Sequence, residues 1–183
     1  MIILYPLIYF CIFVSTVFTA FSTVPIIHAI SKIVDDIEYI EIAAAISSNS
    51  AGPGTRANID EFTQTTKMAI EKFSGVNNAK AIIILNPAQP PIMMHNTIYI
   101  KAKNVNMENV EKAVKTVETN MQKYIKGYKI INNPVYQNDM IIVMVQVEGN
   151  GDYLPKYSGN LDIITSSAIK VAEMYAQKGV LVC

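Results

Sequence analysis

The first 31 residues of this sequence contain no Asp, Glu, Lys or Arg, and the first charged side chain is Lys32. A transmembrane helix needs about 20 mostly apolar residues, a length that Met1–Phe21 meets. The stretch lacks the basic n-region of a secretory signal, and its Ile, Val, Phe and Tyr residues suit strands as well as membrane helices. Two interpretations stay open: a membrane anchor, or a segment that is not a native targeting element, such as a truncated or misassembled N-terminus.

Composition excludes several classes of function for the chain as a whole. Its 183 residues include 15 Lys and Arg against 15 Asp and Glu, so there is no basic surplus of the kind that nucleic-acid binding needs. Cys11 and Cys183 suggest neither a disulfide framework nor a paired-cysteine metal site, and His28 and His95 are the two histidines. We therefore predict neither a metal site nor a nucleic-acid partner.

Beyond the apolar segment, strand-like and helix-like segments alternate. Helices are predicted over 59–73, 107–125 and 160–179, and strands over 37–47, 81–85, 97–103, 128–136 and 140–147. The order β-α-β-β-α-β-β-α, with antiparallel neighbours among the strands, predicts an α+β fold in which helices pack on one face of a mixed sheet.

One loop between a predicted strand and helix carries the best chemical pattern. It is Ser50-Ala51-Gly52-Pro53-Gly54-Thr55-Arg56-Ala57-Asn58. Its G-x-G-x-x-A spacing has the form of a dinucleotide-binding fingerprint, and Arg56 and a helix N-terminus suit a phosphate. Pro53 lacks an N–H, however, and no acidic residue follows where a ribose ligand is needed. By pattern alone a tight turn that caps a helix is favoured, with Asn58 and Glu61 as a capping box.

Three separated blocks, residues 50–63, 81–94 and 153–164, resemble acylating acetaldehyde dehydrogenase and occur in the same order as in that family. The similarity extends from about Thr23 to Lys178. The resemblance implies an oxidoreductase that converts acetaldehyde, CoA and NAD into acetyl-CoA and NADH. It also implies a 4-hydroxy-2-oxovalerate aldolase partner, which supplies the aldehyde, and a place in aromatic hydrocarbon catabolism.

Members of that family have an N-terminal Rossmann domain, which holds NAD, and a C-terminal α+β domain like that of glyceraldehyde-phosphate dehydrogenases. The resemblance implies that residues 23–183 are this second, dimerisation domain, that residues 1–22 lie outside it, and that the Rossmann domain is absent. We expect a homodimer whose apolar surface includes strands 97–103 and 140–147 with Val110, Val114 and Val117. A cytoplasmic location follows by resemblance, and a membrane anchor through Met1–Phe21 is the alternative.

The resemblance assigns cofactor contacts to residues 50–58, which form the loop described above, and to Asn160. By its residue type alone, Asn160 near the start of the last predicted helix is more often a helix cap than a ligand.

The catalytic positions depart from the family pattern. Phe18 occupies the position of the nucleophilic Cys in the family motif T-C-G-G-Q-A-T-I-P, which ends here at Pro25, and the family motif M-R-D-T appears as Met94-His95-Asn96-Thr97. Phe forms no thioester, and the amide of Asn96 takes up no proton. We therefore assign no catalytic residue. The two hypotheses are a truncated, inactive copy of the enzyme and a non-catalytic oligomerisation module, with or without a membrane tether.

Overall fold

The computed structural model describes residues 18–177, which contain five α-helices, six strands and two 3-10 turns. The helices are α1 (Phe18–Ser31), α2 (Pro53–Ala57), α3 (Ile59–Ser74), α4 (Met107–Met121) and α5 (Gly159–Gln177). The strands are β1 (Tyr39–Ser47), β2 (Ala79–Asn86), β3 (Met94–Lys101), β4 (Tyr128–Ile130), β5 (Val135–Gln137) and β6 (Met140–Val147). The 3-10 turns are Ser48–Ser50 and Lys156–Ser158.

The strands form one mixed sheet in the order β2-β1-β3-β6-β4, with β5 also paired to β6. β1 and β2 run parallel, and the other pairings are antiparallel. This arrangement confirms the predicted α+β class with a mixed sheet.

Alternation along the strands gives the sheet two unlike faces. The inner face, which packs against the helices, is buried and almost wholly apolar. On the three central strands it consists of Ile40, Ile42, Ala44, Ile46, Met94, Asn96, Ile98, Ile100, Ile141, Val143, Val145 and Val147. The outer face is half-buried or exposed. It consists of Tyr39, Glu41, Ala43, Ala45, Lys80, Ile82, Ile84, His95, Thr97, Tyr99, Lys101, Met140, Ile142, Met144 and Gln146.

Helix α1 lies in the middle of the helical layer, where it contacts α3, α4 and α5 as well as β3. Ile26, Ile27 and Ile30 are fully buried. The predicted boundary between residues 22 and 23 falls inside this helix. Residues 1–17 of the proposed membrane segment lie outside the described residues. Within residues 18–177 no helix combines the length and the apolarity needed to cross a membrane.

The apolar stripe of α4 faces the sheet of the same chain. Val110 and Val114 are buried in the common core, and the half-buried Val117 packs against it. The expectation that Val110 and Val114 supply surface for a second copy is therefore wrong, because the inner sheet face already covers them.

Three local predictions also differ from the structure. The helix predicted to reach residue 125 ends at Met121, and the strand predicted over 128–136 is split into β4 and β5. Asn58 makes no side-chain cap of α3. Its amide donates instead to Gly54 O at 2.8 Å, because α2 ends directly before α3 and offers that carbonyl. The predicted end of α5 at Gly179 lies outside the described residues.

Gly159 fixes how α5 starts against the sheet. A Cβ at this position would lie 2.2 Å from Val147 O, at the end of β6. Because Val147 O is a backbone atom at the end of a strand and cannot rotate away as a side chain would, only glycine permits this approach.

We predict that Gly159→Ala destabilises the protein by about 1–3 kcal/mol, the usual effect of overpacking against a rigid neighbour. Gly54→Ala is the matched control, since a Cβ there meets nothing within 4 Å. Urea unfolding followed by circular dichroism measures both. Equal stabilities of the two variants would contradict the close approach.

Candidate functional site

The predicted site residues lie at one edge of the sheet. β1 ends there at Ser47, and β3, which is antiparallel to β1, begins there at Met94. β6 ends at the same edge, because Val147 pairs with Met94. We call this the site edge. The cofactor loop follows β1, and α5 begins soon after β6, so the topology brings these segments together.

The Ser50–Asn58 loop combines a buried start with an exposed middle. Ser50 and Ala51 are buried, and the Ser50 hydroxyl donates to Ser47 O at 2.8 Å. Gly52 and Gly54 are exposed, and a Cβ at either position would meet nothing within 4 Å. The loop backbone is therefore open to a ligand at its two glycines.

Arg56 stabilises this loop through hydrogen bonds to its own chain. Its Nε donates to Ala51 O at 3.0 Å, and its Nη2 donates to Ser48 O at 2.9 Å and lies 2.7 Å from Ser48 Oγ. The guanidinium thus holds together the two ends of the turn that precedes α2. Its contact with a phosphate stays a prediction.

Asn160 reaches the loop although 110 residues separate it from Ser50. Its side chain is only 1% exposed, and its Nδ2 donates to Ser50 O at 3.4 Å. Its Oδ1 has no hydrogen-bond partner among the described residues. Buried polar atoms are normally paired, so this oxygen is an acceptor available to a water or to an N–H of a ligand.

Asn96 binds the first turns of α1. Its Nδ2 donates to Ser22 Oγ, and the Ser22 hydroxyl donates in turn to Thr19 O at 2.8 Å. Ser22 comes one turn after Phe18, where α1 begins. The structure therefore brings position 96 close to the helix end that carries position 18, the two positions that the family motifs pair.

The bonds around Asn96 are neutral. The Asn96 amide acts as a donor, and its buried Oδ1 has no partner among the described residues. The fully buried Tyr128 donates its hydroxyl to Ser22 O at 2.7 Å. Burial, with a smaller effect of the Tyr124 and Glu118 charges, raises the pKa of Tyr128, so this phenol remains a donor. The arrangement anchors α1 and supplies no base.

Sequence reasoning missed the hydroxyl groups of α1. Thr19 Oγ1 lies 2.7 Å from Thr66 Oγ1 of α3, and Thr23 Oγ1 donates to Thr19 O at 2.7 Å. The spacing of Thr19, Ser22 and Thr23 was the available signal, since residues three and four apart share one side of a helix. In residues 18–177 no cluster of three or more His, Cys, Asp or Glu side chains could hold a metal ion.

Solved structures of low sequence identity share this fold. Aspartate semialdehyde dehydrogenase II from Vibrio cholerae, solved in complex with ASA, is 10% identical with a TM-score of 0.57, over 87% of this chain and 57% of its own. A probable aspartate-semialdehyde dehydrogenase from Pseudomonas aeruginosa is 8% identical with a TM-score of 0.51, over 84% of this chain and 60% of its own.

Sequence relatives are much closer. Acetaldehyde dehydrogenase from Carboxydothermus hydrogenoformans is 52% identical over 157 residues, which cover 86% of this chain and 52% of the relative. The Geobacillus stearothermophilus acetaldehyde dehydrogenase is 54% identical over 162 residues, 85% of this chain and 53% of the relative. The chain thus spans about half the length of these curated relatives. Residues 19–155 match the family model described as prokaryotic acetaldehyde dehydrogenase, dimerisation. The chain belongs to the prokaryotic acetaldehyde dehydrogenase family.

Proposed function

We propose that this chain provides the dimerisation part of an acetylating acetaldehyde dehydrogenase and that by itself it is catalytically inactive. The carrying observation is that the chain has Phe18 where the family motif has its nucleophilic Cys. The family reaction forms a covalent bond between a thiolate and the aldehyde, a step that a phenylalanine side chain does not perform.

Asn96 supports the same conclusion. A carboxylate at this position would accept a proton, whereas the Asn96 amide is buried and donates a hydrogen bond to Ser22. With a Phe at one paired position and an amide at the other, neither a nucleophile nor its acid–base partner is supplied by these two residues.

In this proposal the residues around the Ser50–Asn58 loop supply cofactor contacts. We propose that NAD, which accepts a hydride in the family reaction, contacts the Ser50–Asn58 loop and Asn160. The exposed backbone at Gly52 and Gly54 and the unpartnered Asn160 Oδ1 support this. An N–H donor at the Asn160 oxygen would satisfy a buried acceptor, and the open loop permits close approach. We assign no residue to CoA, the co-substrate that the resemblance implies.

The outer sheet face is the surface that we propose for the second copy in a homodimer. Ile84, Val135 and Met144 are 46%, 49% and 40% exposed at or beside this face. Large exposed apolar side chains that share one surface are typical of an interface. The match to a dimerisation family supports the same assignment. A cytoplasmic location and an aldolase partner are proposed on the family resemblance alone.

The second candidate is a non-catalytic oligomerisation module tethered to a membrane through Met1–Phe21. The absence of charged side chains before Lys32 favours it. Carbonate extraction of membranes that contain the full chain separates the candidates. A tethered module stays in the pellet and is released when residues 1–17, which precede α1, are deleted, whereas the first candidate is extracted in both forms.

We predict no NADH formation when the purified chain is mixed with acetaldehyde, CoA and NAD. Phe18→Cys alone should not restore turnover, because Asn96 and the residues in place of the motif glycines remain, and residues that act as a unit are not additive. NADH absorbance is the readout, and an intact relative is the positive control. Turnover that a thiol-alkylating reagent abolishes would show that Cys11 or Cys183 acts as the nucleophile and would contradict the inactive assignment.

We predict that the chain sediments as a homodimer at micromolar concentration and that Met144→Lys makes it monomeric, because a buried lysine without a partner is strongly unfavourable in an interface. Met68→Lys is the matched control, since Met68 is 59% exposed on α3, away from the sheet. Analytical ultracentrifugation with circular dichroism gives mass and folding together. A folded wild-type monomer, or equal effects of both variants, would contradict the proposed interface.

A further inference from the structure

The inward face of α5 continues beyond the part of the core that covers it. This face consists of Ile163, Ser167, Val171 and Met174, which are spaced three or four residues apart and so share one side of the helix. Ile163 is fully buried and Ser167 is 4% exposed, whereas Val171 is half-buried and Met174 is 47% exposed. The face that packs against the core in the first half of the helix is therefore exposed in the second half.

Ser167 marks the point at which the inward face leaves the core. Its hydroxyl has no hydrogen-bond partner among residues 18–177. Buried polar groups are normally paired, and a serine hydroxyl can donate to a carbonyl oxygen that approaches it. A further stretch of backbone next to Ser167 would satisfy this hydroxyl and would extend the cover of α5 toward Met174.

The start of α1 lies beside the middle of α5. The two helices are in contact, and both adjoin the short segment that follows α4. Within that segment, Tyr124 lines a groove with Ser166 of α5. Tyr128, a few residues further on, donates its hydroxyl to Ser22 O in the first turns of α1. The chain that precedes α1 therefore joins the described residues next to the place where α5 loses its cover.

Residues 1–17, which directly precede α1, have the composition of a buried surface. They contain no charged side chain and are mostly Ile, Leu, Val, Phe and Tyr. Seventeen residues extend about 25 Å as a helix, whereas residues 167–177 of α5 span about 15 Å. The segment is therefore long enough to cover the exposed half of the inward face.

We propose that residues 1–17 dock on the inward face of α5 beyond Ser167, where they cover Val171 and Met174 and extend the hydrophobic core. The charges of α5 permit this contact. Lys170 and Glu173 are the charged residues of the segment 167–177, and they pair with each other at 3.1 Å. An uncharged segment that packs on the adjoining face therefore separates neither of them from its counter-ion.

Covalent attachment favours this segment over a second copy of the chain. A segment joined directly to α1 is held near α5 at an effective concentration that is roughly millimolar for short linkers. A second copy competes only at the concentration of the protein, which is micromolar or lower in the experiments below. The inward face of α5 is thus covered by its own chain before a second copy reaches it.

Hydrogen exchange followed by mass spectrometry tests the contact, with the full chain at micromolar concentration and without detergent. Deletion of residues 1–17 should speed the exchange of amides 168–177 by about tenfold or more, since burial of large apolar side chains shifts an opening equilibrium by such a factor. The amides of α4 should keep their rates, which shows that the fold is intact.

Met174→Lys tests the same contact in the full chain, because a buried lysine without a partner is unfavourable. It should speed the exchange of residues 1–17. Ala172→Lys is the matched control, since Ala172 is exposed and residues two apart do not share a side of the helix. This variant should leave the exchange of residues 1–17 unchanged.

Equal exchange of amides 168–177 with and without residues 1–17 would overturn the inference, as would equal effects of the two lysine variants. Protection of α5 that rises with protein concentration would assign its inward face to a second copy. Protection of residues 1–17 that arises only with phosphatidylcholine vesicles would assign the segment to lipid. Either result would also overturn the inference. The proposed homodimer is tested separately, since it uses the outer sheet face.

Discussion

The packing of α1 against the inner face of the sheet is the interaction on which the rest of the structure depends. Ile26, Ile27 and Ile30 are completely buried, and each such side chain contributes about 1.5–3 kcal/mol when it leaves water. The other three long helices, α3, α4 and α5, all contact this helix. Its first turns carry the Ser22 hydroxyl, which accepts a hydrogen bond from Asn96, so the helix that completes the core also forms one side of the site edge.

The sheet uses its two faces differently. The inner face is closed by helices of the same chain, and Asn96 is its polar exception on the central strands. The outer face mixes small and apolar residues with polar and charged ones, among them Glu41, Lys80, His95 and Lys101. Exposed apolar side chains grouped on one surface are typical of an interaction site. The proposed homodimer follows from this contrast.

At the site edge, the residues proposed to contact a cofactor and the residues that depart from the family motifs form two separate groups. Asn160 and the Ser50–Asn58 loop meet across the ends of β1 and β6, and one amide oxygen there still lacks a donor among the described residues. At the other end of the edge, a neutral network of Asn96, Ser22 and Tyr128 secures α1. The side-chain hydrogen bonds that hold the loop connect it to Ser47, Ser48 and Asn160 and involve neither position 18 nor position 96.

Sequence periodicity predicted the helices and strands in which one face of the element is buried. The stripe of α4 and the alternation of β3 and β6 predicted the helix, the strands and the α+β class, because one buried face imposes its period on the sequence. The split between β4 and β5 carried no such signal, since it depends on where each segment meets β6. The capping prediction for Asn58 failed for a similar reason: a second helix, α2, supplied a competing carbonyl.

By itself the sequence supplied the motifs that indicate the family and, through that resemblance, the expectation that Phe18 and Asn96 stand where the family has a thiol and an acid. The tertiary structure decided which apolar surfaces are buried within the chain. An apolar run without charges fits lipid, a protein core or a strand equally well, and only its packing partners show that residues 18–31 form a core helix. The stripe of Val110 and Val114 likewise suited either a partner or the chain's own sheet. Whether such a side chain is buried depends on its neighbours in space, and the fold determines those neighbours.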